Sequence, residues 1–326
     1  MNFADNFLKR ETREGFEIDE MMKRAWAAQM EVLVVIDEVC KKNNLQYFSY
    51  AGTLLGAVRH SGFIPWDDDI DICMKRDEYD KLIKILPKEL PYGFVVAGMY
   101  AENERLQKAA FVPHLRVIAD ETLWNFNDYM KRFHGFPYQR VGIDIFPLDA
   151  LSEDMEQTKI QKNIIGYGIP LLRDWEILES QQELEAGLQE LERLSGMQIP
   201  RGDGTQNWIW RMLDAVSSLH PIDKAKDLTR YNILAGVDRF QFEKAWFDNV
   251  VYLPFENIEI PAPIKYEEVL KTLFGDYSIP KKGMADHDYP FYGHMEEELK
   301  KQIAAVGFDG SVEEFCEKVS KGQLYV

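Results

Sequence analysis

The sequence concentrates carboxylates at one point, directly after a Pro-Trp pair. In PWDDDID, aspartates occupy four of five successive positions, at Asp67, Asp68, Asp69 and Asp71. Ionised carboxylates at such spacing repel one another, so the cluster is unfavourable unless the side chains share a cation. Hard oxygen ligands of this kind select Mg²⁺ or Mn²⁺ over softer metals. The pattern therefore predicts a divalent-cation site.

The isoleucines between the aspartates indicate how the carboxylates are oriented. Side chains alternate between the two faces of a strand, so Asp69 and Asp71 share one face with Asp67, whereas Ile70 and Ile72 share the other. Two carboxylates separated by one residue lie roughly 7 Å apart at the backbone, from a rise of about 3.3 Å per residue, and can converge on one ion. We predict Asp69 and Asp71 as metal ligands, with the isoleucines buried in the core.

Three other interpretations of the acidic stretch compete with the metal site. A solvated acidic turn is disfavoured by the isoleucines, which need a buried face. A calcium-binding loop requires glycine at its sixth position for the sharp turn, and Ile72 stands there. Capping of a helix N-terminus fits Asp77 but leaves the other aspartates without a role.

Hydrophobic periodicity predicts the elements that position this cluster. It indicates a long amphipathic helix over 17–42, a short helix at TLLGAVRH and a helix over 76–86 that Pro87 closes. Strands are predicted at 45–52, 69–74, 94–100, 111–119, 140–150 and 247–263. Two helices are expected to end the chain.

The pattern divides the chain into three segments of different character. Residues 1–152 have the strands and helices of an α/β (α+β) core with a mixed sheet, and 153–240 are almost all helical in pattern. Residues 241–326 are expected to return to the core and to finish in helices. We predict that the helical insertion shapes the acceptor side of the site, as a lid or a wall.

A Gly-Thr pair and a later aspartate extend the candidate site. Gly52 and Thr53 lie where a strand meets a helix; glycine permits close approach, and free N–H groups at a helix start attract phosphate. A plain turn glycine is the alternative. Asp144 stands between two isoleucines in GIDIFPLD, with Asp149 as the substitute if the register differs. This order of elements resembles the nucleotidyltransferase superfamily.

Longer stretches identify a family. The segments YAGTLLGAVRHSGFIPWDDDIDICMKRDEYDKL, VGIDIFPLDAL and YLPFENIEIPAPIKYEEVLKTLFGDYSIP resemble the LicD phosphotransferases, whose relatives include the fukutin-type proteins. The resemblance covers roughly 30–150 and 245–290. It implies a nucleotidyltransferase-like core and Mg²⁺ or Mn²⁺ as cofactor. It further implies transfer of phosphocholine or a polyol phosphate from a CDP-activated donor to a glycan hydroxyl, with release of CMP.

The resemblance also assigns roles by position. It implies that the catalytic, metal-binding carboxylates are Asp69, Asp71 and Asp144. The candidates for binding the donor and its phosphates are Gly52, Thr53, Arg59 and Arg116. Basic residues after the GDY block depart from the pattern of the family, which leaves the roles of Lys281, Lys282 and His287 open.

A choline head group would need an aromatic face for its cation. Trp66 and Trp124 are the candidates, together with Phe126. Because the chain has seven tryptophans and 19 phenylalanines, core packing is the competing role for each of them.

Composition excludes several classes of protein. Acidic residues outnumber basic ones by 55 to 38, giving a formal net charge of -17 that repels nucleic acid and anionic lipid. The three cysteines have no CxxC spacing, the chain does not start with a secretion signal, and no stretch approaches 18 apolar residues, so we expect a cytoplasmic protein without a transmembrane segment. The histidines form no HExxH pattern, and His60 and His114 are expected to be structural or surface residues.

Two other functions stay open at this point. One is a nucleotidyltransferase that attacks an NTP and releases pyrophosphate, and the other is a non-catalytic relative that binds a glycan or a partner. Retention of three carboxylates argues against the second, because buried acids without a metal only destabilise. Acceptors in the family are often lipid-linked, which is compatible with transient contact at the inner face of the membrane.

Overall fold

The computed structural model describes residues 1–4, 6–109, 112–138, 141–236, 240–282 and 289–326. The strands in these ranges are β1 (Glu11–Arg13), β2 (Phe16–Ile18), β3 (Phe48–Ser49), β4 (Asp71–Lys75), β5 (Phe94–Ala97), β6 (Leu115–Ala119), β7 (Gly142–Ala150), β8 (Asp227–Thr229), β9 (Gln241–Glu243), β10 (Val250–Phe255) and β11 (Ile258–Pro263). The helices are α1 (Glu20–Lys42), α2 (Ala51–His60), α3 (Arg76–Glu89), α4 (Glu104–Ala109), α5 (Phe126–Arg132), α6 (Met155–Arg173), α7 (Trp175–Ser180), α8 (Leu184–Ser195), α9 (Thr205–Ser217), α10 (Tyr231–Leu234), α11 (Tyr266–Phe274), α12 (Glu296–Ala305) and α13 (Val312–Ser320).

A mixed sheet forms the centre of the described chain. Its strand order is β3-β4-β7-β6-β5, and β8 and β9 continue it beside the end of β7. The central strands β4 and β7 are parallel, in a register that places Asp71 beside Asp144. The other pairs in this order are antiparallel. The predicted mixed α/β class is confirmed, and the two central strands carry the predicted acids side by side.

Helix α1 covers one face of the sheet. It packs on β6 and β7, and the carboxylate of Asp19 caps its first turn by accepting from the Met22 N–H at 2.7 Å. The sequence predicts an amphipathic helix from Glu17, but α1 begins at Glu20 and is buried almost all round in its first half. The reason is that aromatic residues near both ends of the chain, such as Phe7 and Phe315, join the same core and cover its outer side.

The opposite face of the sheet is covered by α2, α11 and the β10–β11 hairpin. Phe48 of β3, Phe146 of β7 and Leu270 of α11 belong to one buried cluster. The hairpin pairs only with itself among the described strands. The predicted β-rich stretch 247–263 is therefore present, but it packs against the core as a separate two-stranded sheet.

Helices α6 to α10 have a hydrophobic core of their own. Ile164, Leu191, Ile209 and Leu234 meet in this cluster, together with Met99 from the loop after β5. The predicted helical character of 153–240 is confirmed, with one exception, because β8 lies in this segment and pairs with β7. The segment boundaries at 152 and 240 stay predictions.

Two predicted boundaries are wrong. Pro87 does not close α3: it lies in the last turn, and the helix continues to Glu89 because the Leu90 N–H still reaches the Leu86 carbonyl at 3.0 Å. The strand predicted from position 69 starts at Asp71, because its neighbour β3 is only two residues long and offers no ladder partner earlier in the chain.

Among the described residues, no helix combines the length and the apolar character needed to cross a bilayer.

Candidate functional site

Three aspartates of the PWDDDID stretch face one cavity at the start of β4. Asp67, Asp69 and Asp71, called here the acid cluster, are partly exposed and line it. The residues between them, Asp68 and Ile70, are 1% exposed. The predicted alternation of faces is therefore present, although only Asp71 belongs to the strand itself.

Helix α1 holds the backbone of this stretch in place. The indole N–H of Trp26 donates to the carbonyl of Asp67 at 2.9 Å, and the side-chain amide of Gln29 donates to the carbonyl of Asp68. The Asp68 carboxylate turns inward and accepts from the Phe291 N–H at 2.6 Å. Because these bonds are largely shielded from water, they fix the loop and force the acid cluster toward the cavity.

The junction of β3 and α2 fixes Asp71. The Tyr50 N–H donates to the Asp71 carbonyl at 3.0 Å, and the Asp71 N–H donates to the hydroxyl of Thr53 at 2.8 Å. Thr53 is 3% exposed and does not line the cavity. The geometry thus gives Thr53 a positioning role, whereas the sequence predicts that it binds the donor.

Gly52 is required at this junction for a steric reason. A Cβ at this position would lie 2.3 Å from Oδ2 of Asp67, a distance that no real contact tolerates. The preceding residue, Ala51, has a φ of 45°, a conformation that residues with a side chain rarely adopt. Close approach of the first turn of α2 to the acid cluster therefore depends on the glycine.

The cavity has a volume of about 290 Å³ and a mixed lining of acidic, basic and aromatic groups. Arg59 and Lys281 supply positive charge, and Arg59 is held by donating to the Tyr277 carbonyl at 3.1 Å. Trp66 supplies an aromatic face. The lining residues are Ala51, Gly52, Leu55, Arg59, Ile64, Trp66, Asp67, Asp69, Asp71, Phe274, Asp276, Tyr277, Ile279 and Lys281.

The electrostatics of the acid cluster are those of a site that lacks positive charge. Burial, followed by the charges of Asp69 and Asp144, raises the pKa of Asp71 well above its usual value. Burial and the neighbouring charges of Asp69 and Asp68 do the same to the pKa of Asp67. In the described part of the chain, no cation lies within ion-pair distance, 4.0 Å, of Asp67 or Asp71.

Asp144 lies beside Asp71 in the sheet but has cationic partners. Arg116 and His114 of β6 and the residue before it contact its carboxylate at 3.1 and 3.2 Å. Burial alone would raise the pKa of Asp144, but Arg116 and His114 hold it well below its usual range. Arg116 thus binds a carboxylate here, and His114 is more than the structural or surface residue that the sequence predicts.

This donor set fits a divalent cation. Carboxylate oxygens of Asp67, Asp68 and Asp69 lie within 4.8 Å of one another, and the register adds Asp71 and Asp144 next to them. Hard oxygen ligands and mutual repulsion, which raises the pKa of two members, are what Mg²⁺ or Mn²⁺ would relieve. The residues present therefore fit such an ion.

The structure gathers most of the predicted site residues and separates one. Gly52, Arg59, Trp66 and the predicted acids Asp69 and Asp71 line the same cavity. Trp124 does not belong with them: its indole N–H donates to the Gly93 carbonyl at 3.0 Å. Its ring packs on Phe94 and Phe133 beside a different depression. Phe126 packs with Phe315. Lys281 lines the cavity, and His287 lies outside the described residues.

Sequence reasoning missed two residues of this site. Asp67 is not among the predicted ligands, although the alternation that selects Asp69 and Asp71 also selects it. Arg230, from the helical segment, acts electrostatically on both Asp71 and Asp144. No motif surrounds Arg230, so the sequence carries no signal for it.

Comparison with known proteins identifies the region around this cavity. Residues 44–164 match the family described as LicD/FKTN/FKRP, nucleotidyltransferase domain. The chain is similar to the lipopolysaccharide cholinephosphotransferase LicD of Haemophilus influenzae, with 45% identity over 56 residues, which are 17% of this chain and 21% of that protein. The resemblance predicted from the motifs is confirmed for this part of the chain.

Uncharacterised proteins of two Rickettsia species are also similar. That of Rickettsia prowazekii is 46% identical over 66 residues, 20% of this chain and 25% of the relative. That of Rickettsia typhi is 46% identical over 57 residues, 18% of each chain. The matches thus span only between 18% and 25% of the length of these three relatives.

Proposed function

We propose, for a chain whose residues 44–164 carry a nucleotidyltransferase domain of the LicD family, that it transfers a phospho-alcohol group. The donor is a CDP-activated alcohol, CDP-choline or a CDP-polyol. The acceptor is a hydroxyl of a glycan, including lipid-linked glycans, and CMP is released. The similarity to a lipopolysaccharide cholinephosphotransferase supports a phosphocholine-type group.

One observation carries this proposal: a single cavity has carboxylates of the acid cluster on one wall and the cations Arg59 and Lys281 on another. A diphosphate ester is anionic, so the carboxylates alone would repel it. Cationic side chains can bind the outer phosphate oxygens, and a divalent ion can join the remaining oxygens to the carboxylates.

The acid cluster and Asp144 are the residues that would hold Mg²⁺ or Mn²⁺. When bound, the ion supplies neutralisation of the diphosphate and stabilises the charge that develops on the leaving phosphate. Asp144 is kept ionised by Arg116 and His114, which suits a ligand better than a proton acceptor. The hydroxyl proton is therefore assigned to a carboxylate of the acid cluster.

The transfer itself balances as follows. The acceptor oxygen forms a bond to the phosphorus distal to cytidine, and the bond from that phosphorus to the bridging oxygen breaks. The electron pair leaves with CMP, and the proton of the hydroxyl passes to the carboxylate. Arg59 and Lys281 orient the diphosphate, and the first turn of α2, opened by Gly52, brings free N–H groups close to it.

Trp66 is the candidate for contact with a choline head group. The ammonium of Lys282 already lies 5.3 Å from the centroid of its ring, so the ring is placed to accept a cation. A quaternary ammonium would compete with Lys282 for this face.

The test is a donor panel with purified protein and Mg²⁺. CDP-choline, CDP-ribitol, CDP-glycerol and CTP are supplied separately, and CMP and pyrophosphate are measured by mass spectrometry. We expect metal-dependent CMP release from one CDP-alcohol and none from the Asp69→Asn variant. Asp77→Asn, an exposed aspartate a few residues further along the chain, is the matched control and should keep the activity.

Two outcomes would count against the proposal. Pyrophosphate release from CTP would identify a nucleotidyltransferase that attacks an α-phosphate instead. Absence of any Mn²⁺ binding and of any donor binding in calorimetry would favour a non-catalytic relative.

A further inference from the structure

Arg230 brings a guanidinium from the helical segment to the centre of the sheet. It directly precedes α10, and its Cζ lies 3.7 Å from the centroid of the Phe146 ring and 5.5 Å from that of Tyr50. Its Nε donates to the side chain of Asn232 at 3.3 Å. Stacking on two buried rings fixes the plane of the guanidinium, because both rings are part of the core.

The charge of Arg230 is directed at the acidic centre without being neutralised by an ion pair. Phe146 follows Asp144 by two positions on β7, so both side chains are on the same face of the sheet. Arg230 opposes the effect of burial on the pKa of both Asp71 and Asp144. Across the part of the chain that the structure describes, however, no carboxylate lies within 4.0 Å of its guanidinium nitrogens.

Most of the hydrogen-bonding capacity of Arg230 is therefore available to a ligand. A guanidinium has five N–H donors in a fixed fork, and one of them is used by Asn232. A phosphoryl group next to an ion held by Asp71 and Asp144 would lie close to this fork. Arginine binds such oxygens in a bidentate manner, with little loss of side-chain freedom when the plane is already fixed.

We propose that Arg230 binds the phosphoryl group that is transferred, the β-phosphate of the CDP donor. This inference rests on the proposed function and extends it. Arg59 and Lys281 bind the donor from the cavity side, whereas Arg230 approaches from the helical segment. The segment 153–240 then contributes a catalytic residue, in addition to the predicted role as a lid or wall on the acceptor side.

A purely structural role makes a different prediction. If Arg230 only packs the helical segment on β7, its replacement lowers thermal stability and disturbs the acid cluster, so that metal and nucleotide affinities fall together. If it binds phosphate, its removal takes a positive charge away from the carboxylates. Mn²⁺ affinity should then stay the same or increase, while only ligands with the β-phosphate bind more weakly.

The experiment compares Arg230→Gln and Arg230→Lys with Arg211→Gln, a control that removes an exposed arginine stacked on Tyr100, 5.1 Å from its centroid. Binding of Mn²⁺ alone, of CMP with Mn²⁺ and of CDP with Mn²⁺ is measured by calorimetry. For Arg230→Gln we expect unchanged or tighter Mn²⁺ binding and about 10- to 100-fold weaker CDP binding, the range for a charge-assisted hydrogen bond. CMP binding should change less than about threefold, and Arg230→Lys should lie in between.

The proposal is overturned if Arg230→Gln binds CDP as tightly as the Arg211→Gln control, or if CDP, CMP and Mn²⁺ all lose affinity together. These measurements do not depend on turnover. If the wild-type protein binds CDP and Mn²⁺ but releases no CMP from any CDP-alcohol, the proposed transfer fails while the role of Arg230 in phosphate binding is still decided.

Discussion

Buried carboxylates occur in two regions of this molecule, and their surroundings are opposite. At the junction of the sheet and the helical segment, Arg76 donates to Asp149 at 2.6 Å and to both oxygens of Asp214, at 2.9 and 3.2 Å. The hydroxyl of Tyr100 donates to Asp214 as well. In the acid cluster, by contrast, the pKa values of Asp67 and Asp71 are raised by burial and by other carboxylates.

The difference separates carboxylates that hold the fold together from carboxylates that are arranged for a ligand. A buried charge with its partner contributes to a defined structure, and removing one partner is strongly destabilising. A buried charge surrounded by like charges destabilises the protein until a cation binds. We call Arg76, Asp149 and Asp214 the paired network. The two regions should therefore respond in opposite ways to mutation.

The largest expected effect is on activity, from Asp71→Asn in the acid cluster. Loss of one ligand charge should reduce CMP release by about 1,000-fold or more, since such charge stabilisation contributes several kcal/mol to the transition state. The same variant should be more heat-stable than the wild-type protein in EDTA, because repulsion from Asp69 and Asp144 is relieved. Thermal unfolding with and without Mg²⁺ measures both states, and Mg²⁺ should stabilise only the wild-type protein strongly.

Asp77→Asn is the control for this comparison, as it removes an exposed aspartate outside the cavity. A less stable Asp71→Asn protein in EDTA would contradict the view that the acid cluster lacks positive charge.

The second prediction concerns the paired network and has the opposite sign for stability. Arg76→Met leaves Asp149 and Asp214 without their cation, and should lower the free energy of unfolding by about 3 kcal/mol. The loss is at the low end of the range for broken buried pairs, because Asp149, whose pKa burial raises to about 6 even beside Arg76, can take up a proton. Urea unfolding at neutral pH measures the change.

Arg173→Met is the matched control. Arg173 also pairs with an aspartate, Asp174, but its side chain is 70% exposed, and exposed pairs contribute at most about 1 kcal/mol. Equal stability of the two variants would show that the paired network is not a structural device.

A third prediction tests another paired carboxylate through pH. Hydrogen bonds from His134, the amino group of Met1 and Arg132 overcome burial and lower the pKa of Glu31 from 4.5 to about 2. The folded state thus binds this proton less readily than the unfolded state. Its contribution to stability is complete above pH 4.5 and is lost as the pH falls toward 2.

At about 1.36 kcal/mol per pH unit the contribution is at most about 3 kcal/mol, and we expect nearer 2 because Arg132 is 31% exposed. Unfolding measured at several pH values between 6 and 3 should show a smaller acid dependence for Glu31→Gln than for Glu259→Gln, which changes an exposed residue of β11. Identical pH profiles for the two variants would contradict the pairing of Glu31.

How far the sequence predicts these regions follows from what each residue contacts locally. The acid cluster is predictable because the alternation of aspartate and isoleucine in 67–72 expresses its geometry directly. The second acid, Asp144, is found for the same reason. The start of β4 is not predictable from its own residues, because it depends on the length of the neighbouring strand β3.

Residues that reach the site from a distance are not predictable in this way. Arg230 lies far from PWDDDID in the sequence, and its role depends on how α10 packs on β7. Trp124 shows the opposite failure: its residue type suits a choline site, but a hydrogen bond to Gly93 and contacts with Phe94 place it in the core. Residue type predicts chemistry, whereas only the packing decides where that chemistry is available.

The smallest expected effect concerns the glycine that lets α2 approach the acid cluster. In Gly52→Ala, the new Cβ would lie 2.3 Å from Oδ2 of Asp67, so the carboxylate must rotate away while Asp71 keeps its backbone bonds to Tyr50 and Thr53. We expect Mn²⁺ affinity to fall about 5- to 10-fold, or about 1 kcal/mol, with little change in thermal stability. Gly204→Ala is the matched control, because a Cβ there meets nothing within 4 Å. Unchanged Mn²⁺ binding in Gly52→Ala would show that Asp67 is not needed for the ion, and the ligands would then be limited to Asp69, Asp71 and Asp144.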